Sequence, residues 1–135
     1  LIMSCKSALY AAMQTPTAVD VGGVIPLGSL IRRYGCDIAL NGNAVNLTGT
    51  GYYDVDASIT ATLTAAGTVT ATLYKDGVAI PGATASATGA TNGTVDLSIP
   101  ALVRQACCAA GSALSLVLTG AAATVNNVAL RVQRI

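Results

Sequence analysis

Apolar and polar positions alternate strictly through YYDVDASITATLT, residues 52–64. Tyr53, Val55, Ala57, Ile59, Ala61 and Leu63 share one face, and Tyr52, Asp54, Asp56, Ser58, Thr60, Thr62 and Thr64 share the other. A period of two over this length predicts a strand with one buried and one solvated side. After the turn AAG the pattern resumes in TVTATLY, with Val69, Ala71 and Leu73 inward, and TVDLSI (94–99), ALSLVL (113–118) and VALRVQRI (128–135) read alike. Thr suits such strands because it is β-branched and polar at once. Gly22-Gly23, NGN at 41–43, GTG at 49–51, TNG at 91–93 and AAG at 65–67 and 109–111 punctuate the runs. The expectation is an all-β antiparallel sandwich or barrel of about eight to ten short strands. Helical spacing competes only in CKSALYAAM (5–13) and PALVRQACCAA (100–110). The second opens on Pro100, which suits a first helical turn, and predicts one or two turns crossing the sandwich.

One stretch breaks the alternation with charge. LYKDGVAIPG, residues 73–82, sets Lys75, Asp76 and Gly77 together between two apolar runs. Asp-Gly in that setting predicts a hairpin turn: Gly77 supplies positive φ, and Asp76 can bond nearby backbone. Pro81-Gly82 is then expected to end a short return strand.

Composition bears on partners. Hydrophobic residues make up 53% of the 135 residues and charged ones only 10%, against roughly a quarter charged in ordinary soluble domains. Few charges to desolvate favours repeated contact between copies. The net charge of +1 gives no general attraction to nucleic acid or an anionic membrane, so neither is an expected partner. No apolar run reaches the roughly 18 residues of a membrane span, and LIMSCKSALYAAM lacks the long apolar stretch of a secretory signal.

Candidate chemistry is sparse. There is no His, and every acidic residue is Asp, so general acid–base catalysis lacks its usual groups and Ser–His or Cys–His couples cannot form. No catalytic residue and no cofactor is expected. Cys5, Cys36, Cys107 and Cys108 lack a CxxC knuckle, which argues against zinc. They are buried thiols or disulfide partners; adjacent Cys107 and Cys108 would need different partners because a bond between neighbours is strained. Asp54 and Asp56, two apart on one strand face, are the weak calcium candidates. Arg32, Arg33 and Tyr34 form the one basic cluster, which reads as a solvated edge or an interface pair.

GYYDVDASITATLTAAGTVTATLYKDGVAIPGATAS (51–86) resembles the central strands of the C1q/TNF-like jelly rolls of bacteria and their phages, where GYYxV opens a core strand and LYxNGVxIPGS forms a hairpin. Asp76 stands where Asn is common, and Ala83 follows Pro81-Gly82. The nearest likeness is to small phage head-fibre or capsid-decoration proteins and to the C-terminal domains of spore-surface collagen-like glycoproteins. The resemblance implies a jelly-roll β-sandwich over residues 16–135, trimeric assembly around one sheet, and a core of Tyr53, Val55, Ile59, Leu63, Leu73, Leu116 and Leu118. No stalk is expected, so the anchor is read as residues 1–15, an N-terminal arm that attaches the unit to a neighbour through Cys5, Leu9, Tyr10 and Met13, or as a face of the domain. The functional expectation is a non-enzymatic, self-assembling virion-surface protein. Its partners would be itself, capsid or other virion proteins, and a host-surface glycan as a candidate. The alternative is a subunit of an extracellular bacterial filament or spore-surface layer, cross-linked by disulfides between copies.

Overall fold

The computed structural model describes residues 7–35, 37–105 and 111–135. Cys5, Cys36, Cys107 and Cys108, and every expectation placed on them, lie outside the described residues.

Eleven strands and no helix make up the described chain: β1 (Ala8–Met13), β2 (Thr17–Val19), β3 (Ser29–Tyr34), β4 (Ile38–Asn41), β5 (Ala44–Leu47), β6 (Gly51–Leu63), β7 (Gly67–Lys75), β8 (Val78–Gly89), β9 (Thr94–Gln105), β10 (Ser112–Thr119) and β11 (Ala123–Arg134). They form two antiparallel sheets. One runs β3-β1-β11-β6-β9, with the short β2 also pairing β11; the other runs β4-β5-β10-β7-β8. The inward faces meet in one core, to which β6 contributes Tyr53, Val55, Ala57, Ile59, Ala61 and Leu63. Leu73, Leu116 and Leu118 are buried opposite them. In β11 an irregularity between Val125 and Asn127 inserts an extra residue. That resets the parity, so that Val125 and Val128 both face inward.

Residues 73–82 turn the chain. Asp76 and Gly77 both have positive φ, 52° and 82°, as a two-residue turn matching the strand twist requires. Asp76 also pins this tip to β10: its amide donates to the Ala113 carbonyl at 2.9 Å, and its Oδ1 accepts from the Ala113 amide at 2.9 Å. The return strand does not stop at Pro81-Gly82. Pairing slips between Thr72 and Tyr74, leaving Ile80–Ala83 outside the ladder opposite Leu73, and β8 then continues to Gly89. An edge strand tolerates such a break because its outer side has no partner to lose.

Two further sequence expectations are corrected. Residues 100–105 are extended, not helical: Pro100 lies opposite Asp56, and alternation continues with Val103 and Gln105 inward. β9 is the sheet edge, where a proline without N–H costs no ladder bond. Residues 106–110 lie outside the described part. The second correction concerns the arm. Residues 8–13 form a strand held between β11 and β3 of the same chain, and Leu9 and Met13 are buried at 1% and 6% exposure. The surface on which these two side chains dock is their own sandwich.

Candidate functional site

Strand order decides which residues meet on the outward face of the β3-β1-β11-β6-β9 sheet. Register places Tyr34, Ala8, Gln133, Asp54 and Leu102 in one row across it. Arg32, Tyr10, Arg131, Asp56 and Pro100 form the next row. Tyr10, Tyr34, Tyr52 and Leu102 are all exposed here, Tyr34 and Leu102 each at 60%. Alternation explains Tyr10: its neighbours Leu9 and Ala11 are core residues, so the intervening side chain must point out.

Tyr10 and Tyr34 wall an open groove of about 450 Å³ whose remaining lining is Ala8, Leu9, Arg32, Arg131 and Gln133. A smaller depression of about 250 Å³ adjoins it, between Tyr10, Asp56, Ser58, Ala129 and Arg131. The calcium candidates lie beside these hollows with a cation already present. Arg131 Nη2 is 3.3 Å from Asp54 Oδ2 and 3.7 Å from Asp56 Oδ2. A guanidinium between the carboxylates occupies the place a divalent ion would need. Among the described residues no three metal-ligating side chains cluster.

The opposite outward face, on the β4-β5-β10-β7-β8 sheet, has a different character. Thr68 and Thr88, Thr70 and Ser86, and Thr72 and Thr84 are cross-strand hydroxyl pairs at 2.8, 2.8 and 3.0 Å. These hydroxyls bond one another, and none has a base beside it to make it a nucleophile. Gln105, also buried, accepts from the Ser112 hydroxyl; among the described residues its Nε2 has no hydrogen-bond partner.

A second polar cluster ties the chain's distant parts together. Arg134 Nη1 pairs with Asp37 Oδ2 and its Nη2 donates to the Thr50 carbonyl. The Asp37 amide donates to Ser7 Oγ at 3.0 Å, and the Tyr53 hydroxyl donates to the Gly49 carbonyl at 2.6 Å. Burial and the nearby Asp37 charge raise the Tyr53 pKa, against smaller lowering effects of Arg134 and the Gly49 bond. A Cβ at Gly49 would overlap the Asp37 carboxylate, so only glycine leaves room for it. This cluster is a structural clamp: its polar atoms face one another.

No protein-family model matches the chain, and no curated protein matches its sequence. Solved structures do share its shape. Eiger TNF from S. frugiperda superposes with a TM-score of 0.71 at 13% identity, over 98% of this chain and 94% of that one. The globular domain of zebrafish complement 1qA gives 0.69 at 8% identity, over 95% of each chain. PRD1 vertex protein P5 gives 0.66 at 11% identity, over 98% of this chain and 99% of that one. The chain has the C1q/TNF-like jelly-roll fold.

Proposed function

We propose that this chain is a non-enzymatic structural protein that self-assembles, as a trimer, on the surface of a phage virion, as a head-fibre or capsid-decoration subunit. One observation carries the reading: a charge-poor sandwich sets exposed Tyr10, Tyr34, Tyr52 and Leu102 on one outward face and paired hydroxyls on the other. Aromatic side chains are enriched where proteins meet, whereas a face of satisfied hydroxyls is comfortable in water. The tyrosine face is thus the one that copies cover, and the threonine face looks outward. A fold shared with a vertex protein supports placing the assembly on a virion.

Negative-stain microscopy and antibody labelling test this. Compact particles unchanged by reductant, with antibody against the chain marking virions from the source culture, are expected. Filaments that fall apart on reduction, or label confined to cells or spores, would replace it with the cross-linked extracellular fibre.

A further inference from the structure

Asn-Gly occurs twice in the chain, at Asn41-Gly42 and Asn92-Gly93. Both asparagines are exposed, one at the turn from β4 to β5 and the other at the turn from β8 to β9. An asparagine followed by glycine can react with its own backbone. The glycine amide nitrogen attacks the asparagine Cγ, and glycine has no side chain to obstruct the approach. The attack requires that nitrogen to be free of other bonds, and the two turns differ in this.

The second turn is tied down. The Gly93 amide donates to the Ala90 carbonyl at 2.9 Å, and the Asn92 amide donates to the Leu63 carbonyl at 2.8 Å. The Gly93 carbonyl in turn accepts from the Leu63 amide at 3.0 Å. The attacking nitrogen is therefore engaged, and the residue on each side of the reacting peptide is fixed. In the first turn Asn41 pairs with Ala44, which leaves Gly42 and Asn43 as a two-residue loop. Gly42, at φ 61°, takes its first position. Among the described residues nothing hydrogen-bonds the Gly42 amide. Apart from its chain neighbours, no atom lies within 4 Å of where a Cβ on Gly42 would stand. Ile38 is buried and Leu40 packs against the core, so alternation turns Asn41 outward.

We propose that Asn41-Gly42 is a self-modifying site, at which the folded chain exchanges an amide for a carboxylate. The bond from Gly42 N to Asn41 Cγ forms as the amide proton passes to hydroxide or water. The Cγ–Nδ2 bond breaks, ammonia leaves, and a cyclic succinimide remains. Water then opens the ring at either carbonyl. One opening gives aspartate; the other gives isoaspartate, in which the main chain runs through Cβ and Cγ. Either product takes the net charge from +1 to zero, and it does so on a sheet whose five strands contain no acidic residue. Isoaspartate also lengthens the backbone by one carbon beside the Asn41–Ala44 pair. β4 is an edge strand paired only with β5, and its far end is held where the Ile38 carbonyl accepts from Arg33 Nε at 2.6 Å. The disturbance therefore stays within the hairpin.

Peptide mapping by mass spectrometry, on the full chain aged at mildly alkaline pH with and without urea, tests the site. In the folded chain Asn41 should convert about fivefold or more faster than Asn92, the factor for one hydrogen bond that must first break. In urea both turns are lost and the two rates should converge. Aspartate and isoaspartate should both be found at position 41. Asn41→Gln, whose longer side chain closes a ring far more slowly, should lose most of the acidic species that the aged wild type shows on isoelectric focusing. Equal rates in the folded chain, or a faster Asn92, would overturn the proposal. So would a rate ratio that persists in urea, since the discrimination would then not come from the fold, or an acidic species undiminished in Asn41→Gln.

Discussion

Arg134 and Asp37 lie 97 positions apart in sequence, and their ion pair joins the last strand to the loop before β4. Both side chains are mostly buried, 20% and 11% exposed. Removing one partner of a fully buried pair costs about 3–5 kcal/mol; the remaining solvent contact lowers the expectation for Asp37→Ala to about 2 kcal/mol, measurable by urea denaturation. The exposed Arg131 pairs with Asp54 and Asp56 are a contrast: Asp54→Asn should change monomer stability by under about 1 kcal/mol. Tyr53 gives a pH signature. Its raised pKa means the folded chain keeps a phenol proton that the unfolded chain begins to lose near 10. The folded state then holds more protons, so this contribution is intact below pH 10 and is lost as pH rises through the folded value. Denaturation midpoints at pH 9 and pH 11 should show the fall in the wild type and a smaller one in Tyr53→Phe. None of this clamp is legible in sequence, because Asp37, Gly49, Tyr53 and Arg134 meet only once β11 lies beside β6.

At the scale of the element, burial wrote the strands into the sequence wherever one face is core and the other solvent. β6, β7 and β10 are of this kind, and their alternation is unbroken. Edges are where the pattern fails. β3 is exposed along its whole length, so no period shows, and in β9 Pro100 suggests a helix start while the free edge lets the strand run through it. β1 was hidden differently. Its six residues read as an arm because the ladder they complete, with β11, is formed by the far end of the chain. The outward face was legible only in part: alternation exposes Asp54 and Asp56 but not Arg131 beside them, nor Tyr34 across from Ala8. Two outcomes test the role of β1. Leu9→Ala should destabilise by about 2–5 kcal/mol, the range for truncating a buried leucine. Deleting residues 1–13 should abolish cooperative unfolding, whereas loss of a peripheral arm would leave a folded domain with an unchanged melting transition.

For the whole molecule, low charge and an aromatic face have one physical reading. Covering Leu102 and two tyrosines at one contact is worth on the order of 4–6 kcal/mol at about 1.5–3 kcal/mol per fully buried large side chain, discounted for those already half covered. That is comparable to the lower estimates, about 4 kcal/mol upward, of the cost of immobilising one copy on another, so an isolated pair is weak. In the trimer proposed above, closing the ring would give three contacts for two such associations, one more than an open row of three copies makes. The paired hydroxyls of the other face satisfy one another within the chain, which suits a face left in water. The most direct test is the mass of the purified chain by size-exclusion chromatography with multi-angle light scattering, measured across protein concentration in reductant. Three chains per particle is the expected result; a single chain at every concentration would contradict the account.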